Sequence, residues 1–116
     1  MRISRGDIWL VSLDPTVGAE IRKTRPVIVV NSDAVGTLPI RLVAPLTEWK
    51  DTFAKKVWIV KVEADGANGL AKTSAADTLQ LRGLDTSRFM QKLGTAPASV
   101  MKSIAAAIAA VIEYEP

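Results

Sequence analysis

The apolar positions of this chain fall into short runs punctuated by turn residues, and only the last run has a different period. Ile8-Trp9-Leu10-Val11-Ser12-Leu13 is rich in β-prone side chains and predicts a first strand, which Asp14-Pro15 stops. A loop from Thr16 to Thr24 follows. Residues 26–32 predict a second strand, whose unbroken apolar run implies burial on both faces or a strongly curved sheet. Pro26 stands at its start, where a missing donor is tolerated. Asp33 to Pro39, with Gly36 and Pro39, reads as a turn. Ile40 to Leu46 predicts a third strand. Val57 to Val62 predicts a fourth, because Trp58, Val60 and Val62 alternate with Val57, Ile59 and Lys61. Asp65-Gly66 and Asn68-Gly69 mark turns between Ala64 and Leu70. A fifth strand is expected over Thr73–Leu81, a short helical turn over Asp85–Arg88 and a last strand over Phe89–Gly94.

Near the end the period changes. Val100, Ile104, Ile108 and Val111/Ile112 recur at helical spacing among alanines, which favour helix and allow close approach. Pro97 suits the first helical position, with Thr95 as a cap displaced by one residue. The stripe is expected to close one end of the core. Together these elements predict one domain over residues 1–116, mainly β with α. It would be a small, strongly bent sheet or barrel of about five to six strands with a C-terminal helix.

Composition narrows the chemistry. Hydrophobic residues make up 48% and charged residues 23% of 116 positions, which suits a folded domain with one core. There is no cysteine, so disulfides and thiolate chemistry are excluded. There is no histidine, so the usual acid/base group of neutral pH and the commonest nitrogen ligand of zinc are both missing. No metal or other cofactor is expected. No signal-like apolar core follows Met1 to Arg5, and the longest apolar stretch, Ile104–Ile112, is nine residues. A cytoplasmic protein with no membrane partner is the expectation. The net charge of +3 favours a nucleic-acid partner only weakly.

The loop Gly18-Ala19-Glu20-Ile21-Arg22-Lys23-Thr24-Arg25 holds three cations within four residues, just after an acid. It reads either as a solvated charged hairpin, with Glu20 paired to a cation, or as an anion-binding segment. Arg25 is the exception within it. It precedes a rigid proline and an apolar strand, so its stem is expected to be packed and its planar, five-donor guanidinium aimed. Thr47, at the end of the third strand, is either a phosphate donor or an ordinary strand-end threonine. Gln80 and Arg82, on one face of the fifth strand, either read a base and hold a phosphate or form an exposed polar face. Trp9 and Trp58 read as core, whereas Trp49 and Phe53 flank Lys50 where aromatics can stack on bases.

These residues also carry a resemblance. Arg5-Gly6-Asp7-Ile8-Trp9, Leu13-Asp14-Pro15-Thr16-Val17-Gly18-Ala19-Glu20 and Lys23-Thr24-Arg25-Pro26-Val27-Ile28-Val29-Val30 resemble the start of the MazF/PemK toxins. Ala44-Pro45-Leu46-Thr47 is similar to the family's strand-end threonine motif, and Gln80-Leu81-Arg82-Gly83-Leu84-Asp85 to its Gln-x-Arg-x-x-Asp segment. The resemblance implies an SH3-like barrel, a homodimer and a toxin of a type II toxin-antitoxin system. It implies an mRNA interferase, cutting single-stranded RNA sequence-specifically without metal or ribosome, and neutralised by a MazE-like antitoxin. It makes Arg25 and Thr47 catalytic and places Glu20 in an RNA-contacting loop, where Glu20 is the candidate base. It implies RNA contacts at Arg5, Gly18, Arg22, Lys23, Ser32, Gln80 and Arg82. Many relatives carry Asp where this chain has Leu79; Asp77, two residues earlier on the same predicted face, is the available substitute. Two rivals stand beside this reading: a non-catalytic, gyrase-poisoning toxin of the same fold, and a plain RNA-binding module. The former acts through its C-terminal residues, and the ending Glu113-Tyr114-Glu115-Pro116 argues against it.

Overall fold

A computed structural model describes residues 2–115, so Met1 and Pro116 of the terminal segments discussed above lie outside the described residues. Seven strands form one antiparallel sheet: β1 (Asp7–Ser12), β2 (Thr24–Val29), β3 (Ile40–Glu48), β4 (Ile59–Val62), β5 (Ser74–Asp77), β6 (Arg82–Asp85) and β7 (Phe89–Thr95). Helix α1 (Ala98–Val111) follows. The order is β4-β5-β3-β2-β1-β7, with β6 also on β3. The sheet bends into a small barrel-like fold without closing along this path.

The apolar run of the second strand is buried on both faces, as its pattern predicts. Ile28 and Val30 join Ile8, Ala44, Leu46 and Ile104 in one core; Val27 and Val29 join Trp9, Val11, Leu13, Val43 and Phe89 in another. The Gly-Asp-Ile-Trp segment proves structural. Gly6 takes a φ of 87°. The buried Asp7 carboxylate accepts from Ser4 N and Trp9 Nε1 and lies 3.4 Å from Lys92 Nζ. That satisfies a charge which would otherwise be costly to bury.

Three expectations need correction. The fifth strand breaks after Asp77: Thr78–Gln80 form a 3-10 turn and β6 begins at Arg82, raising the strand number to seven. Between β5 and β6 the register against β3 slips by three residues, as many as that turn contains. Thr78 anchors the break, since its N and Oγ1 both donate to Trp58 O, the latter at 2.7 Å. Gln80 and Arg82 therefore do not share a strand face, nor do Asp77 and Leu79. Second, Pro97 is the cap of α1 rather than its first residue, because its carbonyl accepts from Val100 and Met101; Thr95 stays in β7. The buried stripe is centred on Met101, Ile104 and Ala107, while Ile112 is exposed. Third, Trp58 lies before β4, only part-buried, with Lys56 Nζ 5.8 Å from its ring centre.

Candidate functional site

The chain's chemistry-bearing residues gather where β1, β2 and β3 meet the β1–β2 loop. Strands β2 and β3 pair as Val27–Pro45, Ile28–Ala44 and Val29–Val43. Arg25 and Thr47 each lie two residues beyond the last β2–β3 pair, Val27–Pro45, in phase along their strands with Val27, Val29 and Val43, and Thr47 pairs there with Ala75 of β5. On its other side Arg25 pairs with the buried Val11. Arg25 is part-buried, and its Nε donates to Arg22 O at 3.3 Å.

Next to this point a cavity of about 490 Å³ is lined by Leu13, Ala19, Glu20, Ile21, Pro45, Leu79, Gln80, Leu81 and Arg82. Pro45 is two residues from Thr47 on the same strand face. Glu20, Gln80 and Arg82 therefore meet in one place. The β1–β2 loop that supplies Glu20 is shaped by backbone conformation. Gly18 and Lys23 take positive φ of 59° and 72°. Open space surrounds Gly18, so its glycine serves the turn and not a close approach. The Glu20 carboxylate accepts from Val17 N through Oε1 at 2.5 Å.

Several polar groups grip this loop from outside it. Ile21 N donates to Gln80 Oε1 at 2.6 Å, and Gln80 Nε2 reaches Ala19 O at 3.5 Å and Asp77 Oδ2 at 3.2 Å. Arg82 Nη1 donates to Leu13 O at 3.1 Å, and Arg88 Nη1 to Ser12 O at 3.2 Å and also to Asp14 O. Arg88 was not among the candidates, and no sequence spacing links it to residues 74 and 76 positions earlier. Asp77 ends β5, so it and position 79, in the 3-10 turn, do not share a strand face. It caps the 3-10 turn, accepting from Leu79 N, and orients Gln80.

Other candidates stand apart. Arg5 and Ser32 lie at the far end of β2 from Arg25. Arg5 N donates to Asp33 Oδ1 at 2.8 Å, Arg5 Nη1 to Val30 O, and Ser32 caps the turn Asp33–Val35. Ser32 lines a separate cavity of about 560 Å³ with Arg41 and Asn31. The Arg41 guanidinium there is occupied by the carbonyls of Ile3, Leu38, Ile40 and Gly36. Arg22 and Lys23 are exposed. Beyond Thr47 the strand leads into a cluster of aromatics and lysines. Trp49 and Phe53 meet edge to face at 5.8 Å, with Lys61 Nζ 5.1 Å from the Trp49 ring centre and Lys56 Nζ 5.5 Å from that of Phe53. Lys61 also stands across Ala75 from Thr47, a relation invisible in sequence. Among the described residues, no three His, Cys, Asp or Glu side chains gather to hold a metal ion.

Comparison with known proteins identifies the family and the fold. The family described as PemK-like, MazF-like toxin of type II toxin-antitoxin system matches residues 4–112. The chain is 34% identical over 114 residues to Endoribonuclease PemK of Escherichia coli, covering 95% of this chain and 82% of that protein. It is 29% identical over 106 residues to Endoribonuclease MazF9 of Mycobacterium tuberculosis, covering 86% and 87%. A crystal structure of MazF from Deinococcus radiodurans superposes with a TM-score of 0.80 at 21% identity, over 96% of both chains. An endoribonuclease in complex with its cognate antitoxin, from a mycobacterial species, superposes at 0.78 and 16% identity, over 99% of both. At such identities the structural likeness establishes the fold.

Proposed function

From a chain that belongs to the PemK-like, MazF-like toxin family of type II toxin-antitoxin systems, we infer an endoribonuclease that cuts single-stranded RNA and is held in check by a cognate antitoxin. The observation that carries the site is the cavity where Glu20, Gln80 and Arg82 meet against Pro45, which pairs with Val27, two residues from Arg25 on β2, and stands two residues before Thr47 on β3. We place the protein in the cytoplasm, acting as a homodimer of single domains spanning residues 1–116. No helix among the described residues is long and apolar enough to cross a membrane.

RNA supplies its own nucleophile. The 2′-oxygen attacks the adjacent phosphorus in line, its proton passes to a base, and the bond to the 5′-oxygen breaks as that oxygen gains a proton. The products are a 2′,3′-cyclic phosphate, or the 3′-phosphate after hydrolysis, and a 5′-hydroxyl. Arg25 stays cationic at ordinary pH, so it stabilises the phosphorane and can donate to the leaving oxygen but is not the base. Thr47 Oγ1 donates to a non-bridging oxygen. Glu20 takes the 2′-proton. Arg22, Lys23, Lys61 and the free arms of Arg82 supply charge along the strand, with Trp49 and Phe53 as stacking surfaces for flanking bases.

The test is incubation of purified protein with a long RNA in EDTA. Discrete fragments with 5′-hydroxyl ends are expected. Intact RNA with retained binding would instead establish a binding module. Intact RNA without binding would return the gyrase-poisoning reading, checked by DNA supercoiling in the same preparation.

A further inference from the structure

Gln80 brackets Glu20 by its backbone. Its side-chain oxygen accepts from the N–H of the residue after Glu20, at 2.6 Å, and its nitrogen reaches the carbonyl of the residue before, at 3.5 Å. An amide offers a donor and an acceptor on a single planar head, so it can hold both groups of a backbone segment. Which way the amide points is set by Asp77, whose Oδ2 accepts from Gln80 Nε2 at 3.2 Å while Oδ1 caps Leu79 N at 3.1 Å. A carboxylate accepts only, so it forces the NH₂ toward itself and leaves the oxygen for Ile21. The three-residue slip between β5 and β6 pushes Gln80 out of the ladder and toward the loop. Nothing else among the described residues hydrogen-bonds the Ala19 carbonyl or the Ile21 N–H.

We propose that Gln80 is a positioning residue for Glu20, latching the β1–β2 loop through Ala19 and Ile21 in an orientation that Asp77 dictates. Its role for Glu20 rests on the endoribonuclease reading above. The latch gives the acid at position 77 a task that differs from contact with RNA. It also explains how residues 80 and 20, far apart in sequence, wall one cavity. With the loop held, the carboxylate meets the 2′-hydroxyl without a search over loop conformations, so the benefit falls on kcat rather than on RNA affinity.

The experiment measures cleavage of one RNA by wild type, Q80A, D77A and Q80E, with amide hydrogen exchange at Ile21 followed in each. Q80A is expected to speed Ile21 exchange by about five- to tenfold, the worth of one hydrogen bond. It should lower kcat by a similar factor with KM little changed, and D77A should do the same more weakly. Q80E supplies the signature. Ionised, its carboxylate has no donor for Asp77 or the Ala19 carbonyl, and it adds a third acid beside Asp77 and Glu20, with Arg82 the cation that lines the same cavity. Protonated, it restores one donor and one acceptor. Cleavage by Q80E relative to wild type should therefore rise as pH falls from ~8 to ~5, while the Q80A ratio stays flat. Unchanged Ile21 exchange in Q80A would overturn the latch, as would a flat Q80E ratio. A raised KM at constant kcat would make Gln80 a direct RNA contact and overturn the positioning role. Exchange reads the latch whether or not RNA is cut. An inactive wild type whose Ile21 exchange still quickens in Q80A would sink the nuclease reading and keep the latch.

Discussion

A guanidinium that is charged at every working pH can stabilise a phosphorane but cannot accept a proton, and this asymmetry divides the labour between Arg25 and Glu20. Arg25→Ala should lower cleavage by ~10²–10³-fold or more, with RNA affinity within several-fold of wild type, measured by single-turnover cleavage and filter binding. Cleavage at wild-type rate would remove Arg25 from the chemistry. Arg25→Lys keeps the charge but loses the planar fork, and should recover only part of the rate. Glu20→Gln should slow cleavage near neutrality and abolish the acid limb of the pH–rate profile, because the group whose protonation produces that limb is gone; an unchanged profile would exclude it as base. The place of Arg25 at the entry of β2 was legible in sequence, from the proline after it and the apolar run beyond. The partners of Glu20 were not, because hydrogen bonds to Val17 N and, through its neighbours, to Gln80 depend on how the loop folds back.

At the scale of elements, short turns and close approaches decide where the strands stop. The loop before β5 crosses β7 so tightly that a Cβ on Gly69 would lie 2.1 Å from Leu93 O, and one on Gly94 2.2 Å from Ala67 O. Gly69 also takes a φ of 68°. Fully buried Asn68 ties this loop together, donating to Glu63 O at 2.7 Å and accepting from the N–H groups of Asp65 and Leu70. Asn68→Ala should cost about 2–4 kcal/mol in urea unfolding, because it strands buried backbone groups. A loss under about 0.5 kcal/mol would mean that water replaces those bonds. Asp85 offers a pH test. Its hydrogen bonds from the side chain and backbone of Ser87, with Arg88 nearby, hold its carboxyl below the usual range. A depressed folded pKa means stability that is full above the unfolded value and lost as pH falls through the folded one. Asp85→Asn should therefore flatten the acid side of the stability curve slightly, seen as a smaller spread of Tm between mildly acidic and strongly acidic buffers. The split of the predicted fifth strand was not legible. Thr78 is apt for a strand, and only Trp58 O, on the neighbouring segment, draws it out of the ladder.

At the scale of the whole molecule, one bent sheet carries two apolar faces, and its two ends carry different chemistry. Helix α1 packs Ile104 onto the sheet face of Ile28 and Leu46, and the opposite face holds Val27, Val29 and Val43. Ile104→Ala should destabilise the fold by about 2–5 kcal/mol while leaving RNA specificity intact, as judged by unfolding and by fragment ends. A changed cleavage pattern would show that the two faces are coupled. RNA affinity should fall steeply with salt, the slope in log–log form being about 0.7 per phosphate contacted; a salt-independent affinity would argue against a basic binding track.

Sequence alone placed the strands other than β6, with their approximate bounds, and the C-terminal helix, because apolar periodicity, turn dipeptides and prolines act locally on the chain. It also carried the family resemblance. Only the tertiary structure decided that Arg5 and Ser32 lie away from Arg25, that Asp77 and Gln80 serve the loop, and that Lys61 shares a row with Thr47. Those relations depend on register, on a three-residue slip between paired strands and on where a loop returns. Side chains far apart along the chain meet there through backbone geometry that no local pattern encodes.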